Sequence, residues 1–173
     1  CCSFRVEVED DAESLAASVA DKWRAMFELN VLGVLRMTRT LLPKLIASGD
    51  GLIVNLGSIA GVETYPGGGG YAASKHSAHA LTRTLRLELL GQPVRITEIL
   101  PGLAETEFAL VRFDGDRERA KKVYEGMTPL TAEDIAEAVR WVATLPAHVD
   151  IDEIVIRPRD QATTMLVHRR PKE

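Results

Sequence analysis

The chain has 173 residues, 46% of them apolar, which is enough material for one domain with a sizeable buried core. A formal net charge of -4 leaves no basic surplus, so the composition argues against a nucleic-acid-binding protein. No apolar run approaches the roughly 18 to 20 residues that span a bilayer, and no charged start with an apolar stretch indicates a signal peptide. We therefore expect a single cytoplasmic domain over residues 1–173 that binds small molecules or proteins.

The first elements in chain order are a short strand and two helices. "SFRVEVEDD" (3–11) predicts a strand, and "DAESLAASV" a helix start with Asp11 as a possible cap. From Asp21 to about Ser48, apolar residues recur at steps of three and four, which predicts one long helix ended by Gly49. Because it is apolar around more than one face, we expect a sheet on one side and a partner helix on the other.

Two buried strands enclose the next predicted helix. "GLIVNLGS" (51–58) is a continuous apolar run, typical of a parallel strand buried on both faces. A loop over 61–70 leads to a helix over 71–90, and "PVRITEILPG" (93–102) is the next strand. Ser58 and Pro101-Gly102 therefore lie at two strand ends.

The last third predicts one more helix and one more strand. A charged, less regular segment over 103–129 precedes "TAEDIAEAVRWVATL", which opens with a capping box of Thr131 and Asp134. "IDEIVIRPR" (151–159) is a strand, and 160–173 a tail. The alternation predicts an α/β fold with right-handed crossovers, a parallel sheet and helices on both faces. In such sheets ligands bind beyond the carboxyl ends of the strands.

"YPGGGGYAASKHS" places Tyr71 and Lys75 one helical turn apart, on the same face. A nearby ammonium favours the phenolate and lowers the pKa of a tyrosine, which makes Tyr71 a possible general acid or base. Ser58 supplies a hydroxyl that could hold a substrate oxygen, and the glycines before Tyr71 give a substrate room to approach. Taken singly, each feature has another reading: a core tyrosine, a solvated lysine and a serine in a turn.

The combination resembles the short-chain dehydrogenase/reductases. "NLGSIAG", Tyr71 thirteen residues after Ser58, Lys75 four later and "PGLAET" after the next strand carry the resemblance, which covers nearly the whole chain from Asp21. It implies a Rossmann-like doubly wound sheet and hydride transfer with a nicotinamide cofactor. It also implies that Tyr71 exchanges the proton while Ser58 orients the reacting oxygen.

The resemblance assigns further residues. Lys75 would lower the pKa of Tyr71 and hold the nicotinamide ribose together with it, and Asn30 would support a water relay to Lys75. The alternative for Asn30 is a tolerated polar residue within a helix. The residues expected to border the nicotinamide follow the second strand: Pro101, Gly102, Leu103 and Thr106.

A narrower resemblance points to the NADP-dependent 3-hydroxy acid dehydrogenases, which include serine and 3-hydroxyisobutyrate dehydrogenases. It is carried by "PGLAETEFALVRFDGD", by "PLTAEDIAEAVRWVATLPAHVDIDEIVIRP" and by "VHRR". It implies a homotetramer that interconverts a 3-hydroxy acid and its carbonyl form with NADP, NAD not being excluded. The alternatives are another ketone, retinoid or sugar as substrate, or a non-catalytic protein of the same fold.

A carboxylate substrate needs a cation or amide donors near the site. Arg112 is the candidate, in a segment that could close over the pocket, and Gly68 would lie on the substrate side. An arginine on a solvated face is an equal alternative.

The histidines, cysteines and tryptophans are interpreted as residues without a catalytic role. We expect no metal site, since the histidines have no second ligand at metal spacing. Cys1 and Cys2 can form neither a staple nor a CxxC site. The tryptophans fit helical apolar patterns as packing residues. The residues concerned are His76, His79, His148, Trp23 and Trp141.

The chain departs from the family at its start, where the strand and glycine-rich turn for the cofactor pyrophosphate are not found. Either residues of a longer chain are missing, or the chain is a shortened member of the family. We expect the former, with missing residues before Ser3 and near Val19 and Ala20, because "SLAASVADKWRAMF" joins two family segments without room for a strand.

An oligomer is also expected. The helices carrying Asn30 and Tyr71 have more apolar surface than one sheet face covers, and the family forms dimers through them. The tail "TTMLVHRR" could reach a neighbouring subunit.

Overall fold

The computed structural model describes residues 20–171. The predicted strand over 3–11, the helix start at Asp11, both cysteines and Val19 lie outside the described residues.

The sheet has three parallel strands in the order β1-β2-β3. They are β1 (Gly51–Leu56), β2 (Val94–Pro101) and β3 (Glu153–Ile156). Six consecutive residues of β2 are buried, three polar side chains among them. β1, whose apolar run predicts burial on both faces, is mostly half-buried, because it lies at the edge of the sheet within the described residues. The predicted parallel sheet is confirmed.

Six α-helices surround the sheet within the described part of the chain. They are α1 (Ala20–Phe27), α2 (Val34–Ser48), α3 (Gly69–Glu88), α4 (Glu107–Arg112), α5 (Arg117–Lys122) and α6 (Ala132–Ala143). Two of them, α4 and α5, lie where the sequence predicts little regular structure. The predicted capping box is confirmed, since Thr131 Oγ1 accepts from the Asp134 N–H at 3.2 Å and Asp134 Oδ2 accepts from the Thr131 N–H at 2.8 Å.

The long helix predicted from Asp21 to Ser48 is interrupted. A π-helical segment, Glu28–Gly33, separates α1 from α2 and contains Asn30. The segment ends at Gly33, where a side chain would crowd the backbone, because a Cβ there would lie 3.3 Å from the Glu28 carbonyl oxygen. Wider single turns of this kind often occur at functional positions.

Helices cover both faces of the sheet, as predicted. His79 of α3 contacts Glu98 of β2, whereas Arg95 of β2 donates to the Val142 carbonyl of α6. Residues 95 and 98 point to opposite faces of a strand, so α3 and α6 lie on opposite faces.

The connections β1-α3-β2 and β2-α6-β3 move in the same direction along the sheet, but their helices lie on opposite faces. The two crossovers therefore have opposite handedness. The expectation that both are right-handed is wrong for one of them. The physical reason is the length of the connection: residues 102–131, with α4 and α5, carry the chain around to the second face before α6 begins.

The tail returns along the molecule and binds its own chain. The Thr164 N–H donates to Glu63 Oε2 at 2.7 Å, and the Arg170 N–H donates to the Gly126 carbonyl at 2.7 Å. Arg169 also donates to the Glu125 carbonyl. Its arginines thus donate to carbonyls of the same chain, and the contact with a neighbouring subunit stays a prediction.

The two tryptophans differ in environment. Trp23 packs against Gly70, where an added Cβ would lie 2.9 Å from its Nε1, as expected of a packing residue. Trp141 is 50% exposed, so the packing prediction is wrong for it. No helix within residues 20–171 combines the length and apolarity needed to cross a bilayer.

Candidate active site

Ser58 follows β1 directly and has extended backbone geometry. Its Oγ accepts from the Ala60 N–H at 3.1 Å and caps a single 3-10 turn, Ile59–Gly61. The preceding Gly57 donates from its N–H to the Ile99 carbonyl at 2.8 Å, which ties the end of β1 to β2. The serine is therefore held at the carboxyl edge of the sheet, where it is predicted to act.

Tyr71 lies in the first turn of α3 and faces Ser58. Partial burial raises the pKa of Tyr71, and a hydrogen bond with the Ser58 side chain opposes that rise. The Phe108 ring covers it, with ring centroids 5.2 Å apart and an angle of 51° between the planes. The structure thus brings Ser58 and Tyr71 together under α4.

Lys75 lies one turn after Tyr71, with its Nζ 5.9 Å from the centre of the tyrosine ring. Its ammonium donates to the Leu56 carbonyl at the end of β1, at 2.9 Å. The expected lowering of the Tyr71 pKa by Lys75 is not what the structure shows, because burial of the phenol raises that pKa and the ammonium is directed at the strand end.

Asn30 is connected to the same helix. Its Nδ2 donates to Ser74 Oγ at 3.0 Å, and Ser74 Oγ donates to the Tyr71 carbonyl at 2.8 Å. Asn30 and Lys75 both line a cavity of about 220 Å³, which is large enough for several water molecules and whose lining is mainly apolar. The water relay stays a prediction.

The residues after β2 form a fixed loop. The Gly102 N–H donates to the Ile156 carbonyl at 2.7 Å, and the Leu103 N–H donates to Gln161 Oε1 at 2.8 Å. Thr106 Oγ1 accepts from the Phe108 N–H at 3.2 Å and begins α4. Pro101 closes β2. The cofactor contacts expected of this loop stay predictions.

Gln161 is a positioning residue that sequence reasoning missed. It is 6% exposed, and a Cβ at Gly102 would lie 2.3 Å from its Oε1. Its position far along the tail gives no local signal of this contact.

The glycines before Tyr71 make room for the protein itself. A Cβ at Gly68 would lie 2.3 Å from the Tyr65 ring, and one at Gly70 would lie 2.6 Å from Met26 Cε. Gly67 has φ +72°, which side chains rarely adopt. At Gly68 and Gly70 the structure therefore corrects the expectation of substrate clearance: Tyr65 and α1 occupy that space.

Arg112 lies on the Phe108 side of the site, at the end of α4. Its guanidinium carbon is 5.3 Å from the Tyr65 ring centre and 5.5 Å from that of Phe113. Its charge acts to lower the pKa of both Tyr65 and Tyr71, against the effect of burial. The residue is exposed yet close to Tyr71, so both of its sequence interpretations stay open.

A nicotinamide cofactor fits the donors that are present. A lysine ammonium has three N–H groups, and the Leu56 carbonyl is the acceptor within hydrogen-bond distance of Lys75 among residues 20–171. The remaining N–H groups could bind ribose hydroxyls beside Tyr71.

One cluster was not foreseen. His79 Nδ1 lies 2.7 Å from Glu98 Oε2, and His79 Nε2 lies 3.8 Å from Glu153 Oε1. Possible ligand atoms of these three residues lie within 4.8 Å of one another. The argument that His79 has no second ligand is therefore wrong, because neighbouring strands supply the carboxylates; the absence of a metal stays a prediction. His76 Nδ1 contacts the Ala72 carbonyl within α3 instead.

Comparison with known proteins finds relatives that are all oxidoreductases by description. A short chain dehydrogenase family model matches residues 8–116. An uncharacterized oxidoreductase of Mycobacterium tuberculosis is 66% identical over 143 residues, which are 83% of this chain and 57% of the relative. A sulfoacetaldehyde reductase of Chromohalobacter salexigens is 48% identical over 141 residues, 81% of this chain and 56% of the relative. An NADP-dependent 3-hydroxy acid dehydrogenase of Escherichia coli is 45% identical over 155 residues, 88% of this chain and 62% of the relative.

A solved structure is also similar throughout the described fold. The closed form of a serine dehydrogenase complexed with NADP+ superimposes with a TM-score of 0.86 at 42% identity, over 91% of this chain and 64% of that one. The chain spans less than two thirds of the length of each of these relatives. The family match covers more than half of the chain, and Ser58 after β1 lies beside Tyr71 and Lys75 of α3 at the carboxyl end of the parallel sheet. The chain belongs to the short chain dehydrogenase family.

Proposed function

We propose that the protein is an NADP-dependent oxidoreductase that interconverts a small 3-hydroxy acid, or a related alcohol, and its carbonyl form. The observation that carries the proposal is that Ser58, at the end of β1, lies beside Tyr71, with the Lys75 ammonium 5.9 Å from the centre of the tyrosine ring. A non-catalytic protein of the same fold would not need a half-buried lysine next to a half-buried phenol.

Ser58 and Tyr71 have different roles in proton transfer to and from the substrate oxygen. Ser58 holds the substrate oxygen, and Tyr71 donates a proton to it in reduction or accepts one in oxidation. Because burial raises the pKa of Tyr71, the neutral phenol persists at neutral pH and suits reduction. Oxidation needs the phenolate form of Tyr71, so the rate of oxidation should increase as the pH rises toward that pKa.

The cofactor would be held by Tyr71 and Lys75 and bordered by the loop after β2. The reduced cofactor, NADPH or NADH as the alternative, would supply the hydride to the substrate carbon in reduction, and the oxidised form would accept it in oxidation. The NADP preference is supported by relatives described as NADP-dependent or solved with NADP+. Among the loop residues, Pro101, Gly102, Leu103 and Thr106 are the proposed contacts.

The substrate class follows from Arg112 and from the names of relatives. A 3-hydroxy acid and sulfoacetaldehyde both carry an anionic group, and Arg112 places a cation near Tyr71. A guanidinium binds carboxylate or sulfonate oxygens through paired N–H groups. The Tyr65 ring, over which the Arg112 guanidinium lies, would be beside that group.

Replacement of Tyr71 tests the function. Tyr71→Phe removes the phenol oxygen while it keeps the ring against Phe108, so turnover of 3-hydroxy acids with NADP should fall at least about a thousandfold. NADPH affinity, measured by fluorescence titration of the intact protein, should change little. Tyr124→Phe is the matched control, because that hydroxyl donates to the Ala104 carbonyl outside the Ser58 and Lys75 group. Retained turnover in Tyr71→Phe would contradict the assignment.

We also propose that the protein forms a homo-oligomer, a dimer or tetramer, in the cytoplasm. The support is apolar surface on the π-helical segment and α2, where Leu29, Leu35, Met37 and Leu41 are exposed.

A further inference from the structure

The carboxylate of Glu98 lies behind the proposed site and has no role in the mechanism above. Its side chain is 1% exposed, and its Oε2 lies 2.7 Å from His79 Nδ1. On the other side, a Cβ at Gly57 would lie 2.3 Å from Glu98 Oε1. The carboxylate therefore occupies the space between α3 and the residue that precedes Ser58.

Glu98 and Lys75 line the same cavity of about 220 Å³. The Lys75 ammonium is fixed there by the Leu56 carbonyl, one residue before Gly57. Burial lowers the pKa of Lys75, and the negative charge of Glu98 opposes that change. An ionised carboxylate at this place thus favours the charged form of the lysine.

The charged groups around Glu98 come from two elements. From α3, His79 and Lys75 favour its ionised form; from β3, Glu153 disfavours it; burial raises the pKa of Glu98. His79 lies between the two carboxylates, with its shorter contact to Glu98. Only the contact with Glu98 is a hydrogen bond, while Glu153 faces the other ring nitrogen at 3.8 Å.

We propose that Glu98, held by His79, is a positioning residue whose carboxylate, across the cavity that it shares with Lys75, keeps the ammonium charged where it donates to the end of β1. Its catalytic importance rests on the proposed function, but its effect on Lys75 can be measured without turnover.

The test is the pKa of Lys75 in Glu98→Gln, measured by the pH dependence of competitive acetylation read by mass spectrometry. Glutamine keeps the shape and a hydrogen-bond acceptor for His79 but removes the charge, so the pKa of Lys75 should fall by about one unit. The upper pH limit of NADPH binding should fall by the same amount. Glu153→Gln is the matched control and should leave Lys75 unchanged, since that carboxylate is more exposed and lies beyond His79.

A second variant tests the same proposal if Glu98→Gln does not fold. His79→Gln should shift Lys75 in the same direction, because Glu98 loses the hydrogen bond that favours its ionised form. An unchanged Lys75 pKa in folded variants overturns the proposal. So does a rise of the Lys75 pKa caused by EDTA in the unsubstituted protein, because removal of a metal ion bound at His79 would free the negative charge of Glu98. Failure of the unsubstituted protein to bind NADPH would contradict the proposed function, while the acetylation result would still decide the role of Glu98.

Discussion

At the scale of single residues, Arg112 is the side chain on which substrate choice depends in the proposed function. It is exposed, lies over the Tyr65 ring, and is close enough to Tyr71 to affect its pKa. An arginine in that position can bind an anionic substrate group without burial of an unpaired charge in the free protein.

Replacing Arg112 with alanine should raise the KM for a 3-hydroxy acid at least about tenfold, since a lost charged hydrogen bond costs about 1.5 to 3 kcal/mol. The KM for a neutral alcohol should change much less. Steady-state kinetics with both substrates measures the difference. Arg119→Ala is a suitable control, because Arg119 stacks on Phe113 from the neighbouring helix α5. Equal effects of Arg112→Ala on both substrates would leave the substrate proposal without support.

The sequence was a good guide to the residues that depend on motif spacing. Ser58, Tyr71 and Lys75 meet at one strand end, because a parallel strand followed by a helix brings residues at that spacing together. The sequence did not predict the contact of Gln161 with Leu103, because the two residues are far apart along the chain. Nor did it predict the contact of Glu98 with His79, because a buried carboxylate leaves no local sequence pattern. It also misjudged the Tyr71 pKa, because burial cannot be read from the distance between two residues along a helix.

At the scale of elements, the strands and the capped helix α6 follow from local patterns, whereas the π-helical segment does not. An apolar period near 3.6 continues through Glu28–Gly33, so the sequence predicts an unbroken helix. The wider turn depends on tertiary contacts such as the hydrogen bond from Asn30 to Ser74.

The cap of α6 can be tested directly. Thr131→Ala removes the oxygen that accepts from the Asp134 N–H, so the free energy of unfolding should fall by about 1 kcal/mol. Urea unfolding followed by circular dichroism measures the change. Thr131→Ser keeps the hydroxyl and should retain most of the stability. If alanine and serine behave alike, the hydroxyl does not contribute as a cap.

At the scale of the whole molecule, the exposed apolar residues of α2 are the best argument for assembly. Met37 is 61% exposed on a helix whose other apolar residues include Leu35 and Leu41. A surface of this kind is often covered by another subunit.

Met37→Lys should shift the intact protein toward smaller species in sedimentation velocity, because a charge would then be buried in the interface. Val111→Lys is the control, since Val111 is 73% exposed on α4 and outside that surface. A monomeric unsubstituted protein, or an unaffected Met37→Lys oligomer, would argue against an interface on α2.

The overall architecture was predictable in its layers but not in its handedness. Strand and helix alternation gives a parallel sheet with both faces covered. The opposite hand of the second crossover depends on the path of residues 102–131, in which short helices leave no strong sequence pattern.

The tail has a consequence for how this enzyme family can vary. It holds Glu63 in the loop after β1 through Thr164, Leu103 after β2 through Gln161, and Gly126 beyond α5 through Arg170. These three loops flank the segments that carry Tyr71 and Arg112. We therefore expect a substitution in the tail to shift these loops without touching a substrate, so that the proposed specificity would be adjustable from outside the site.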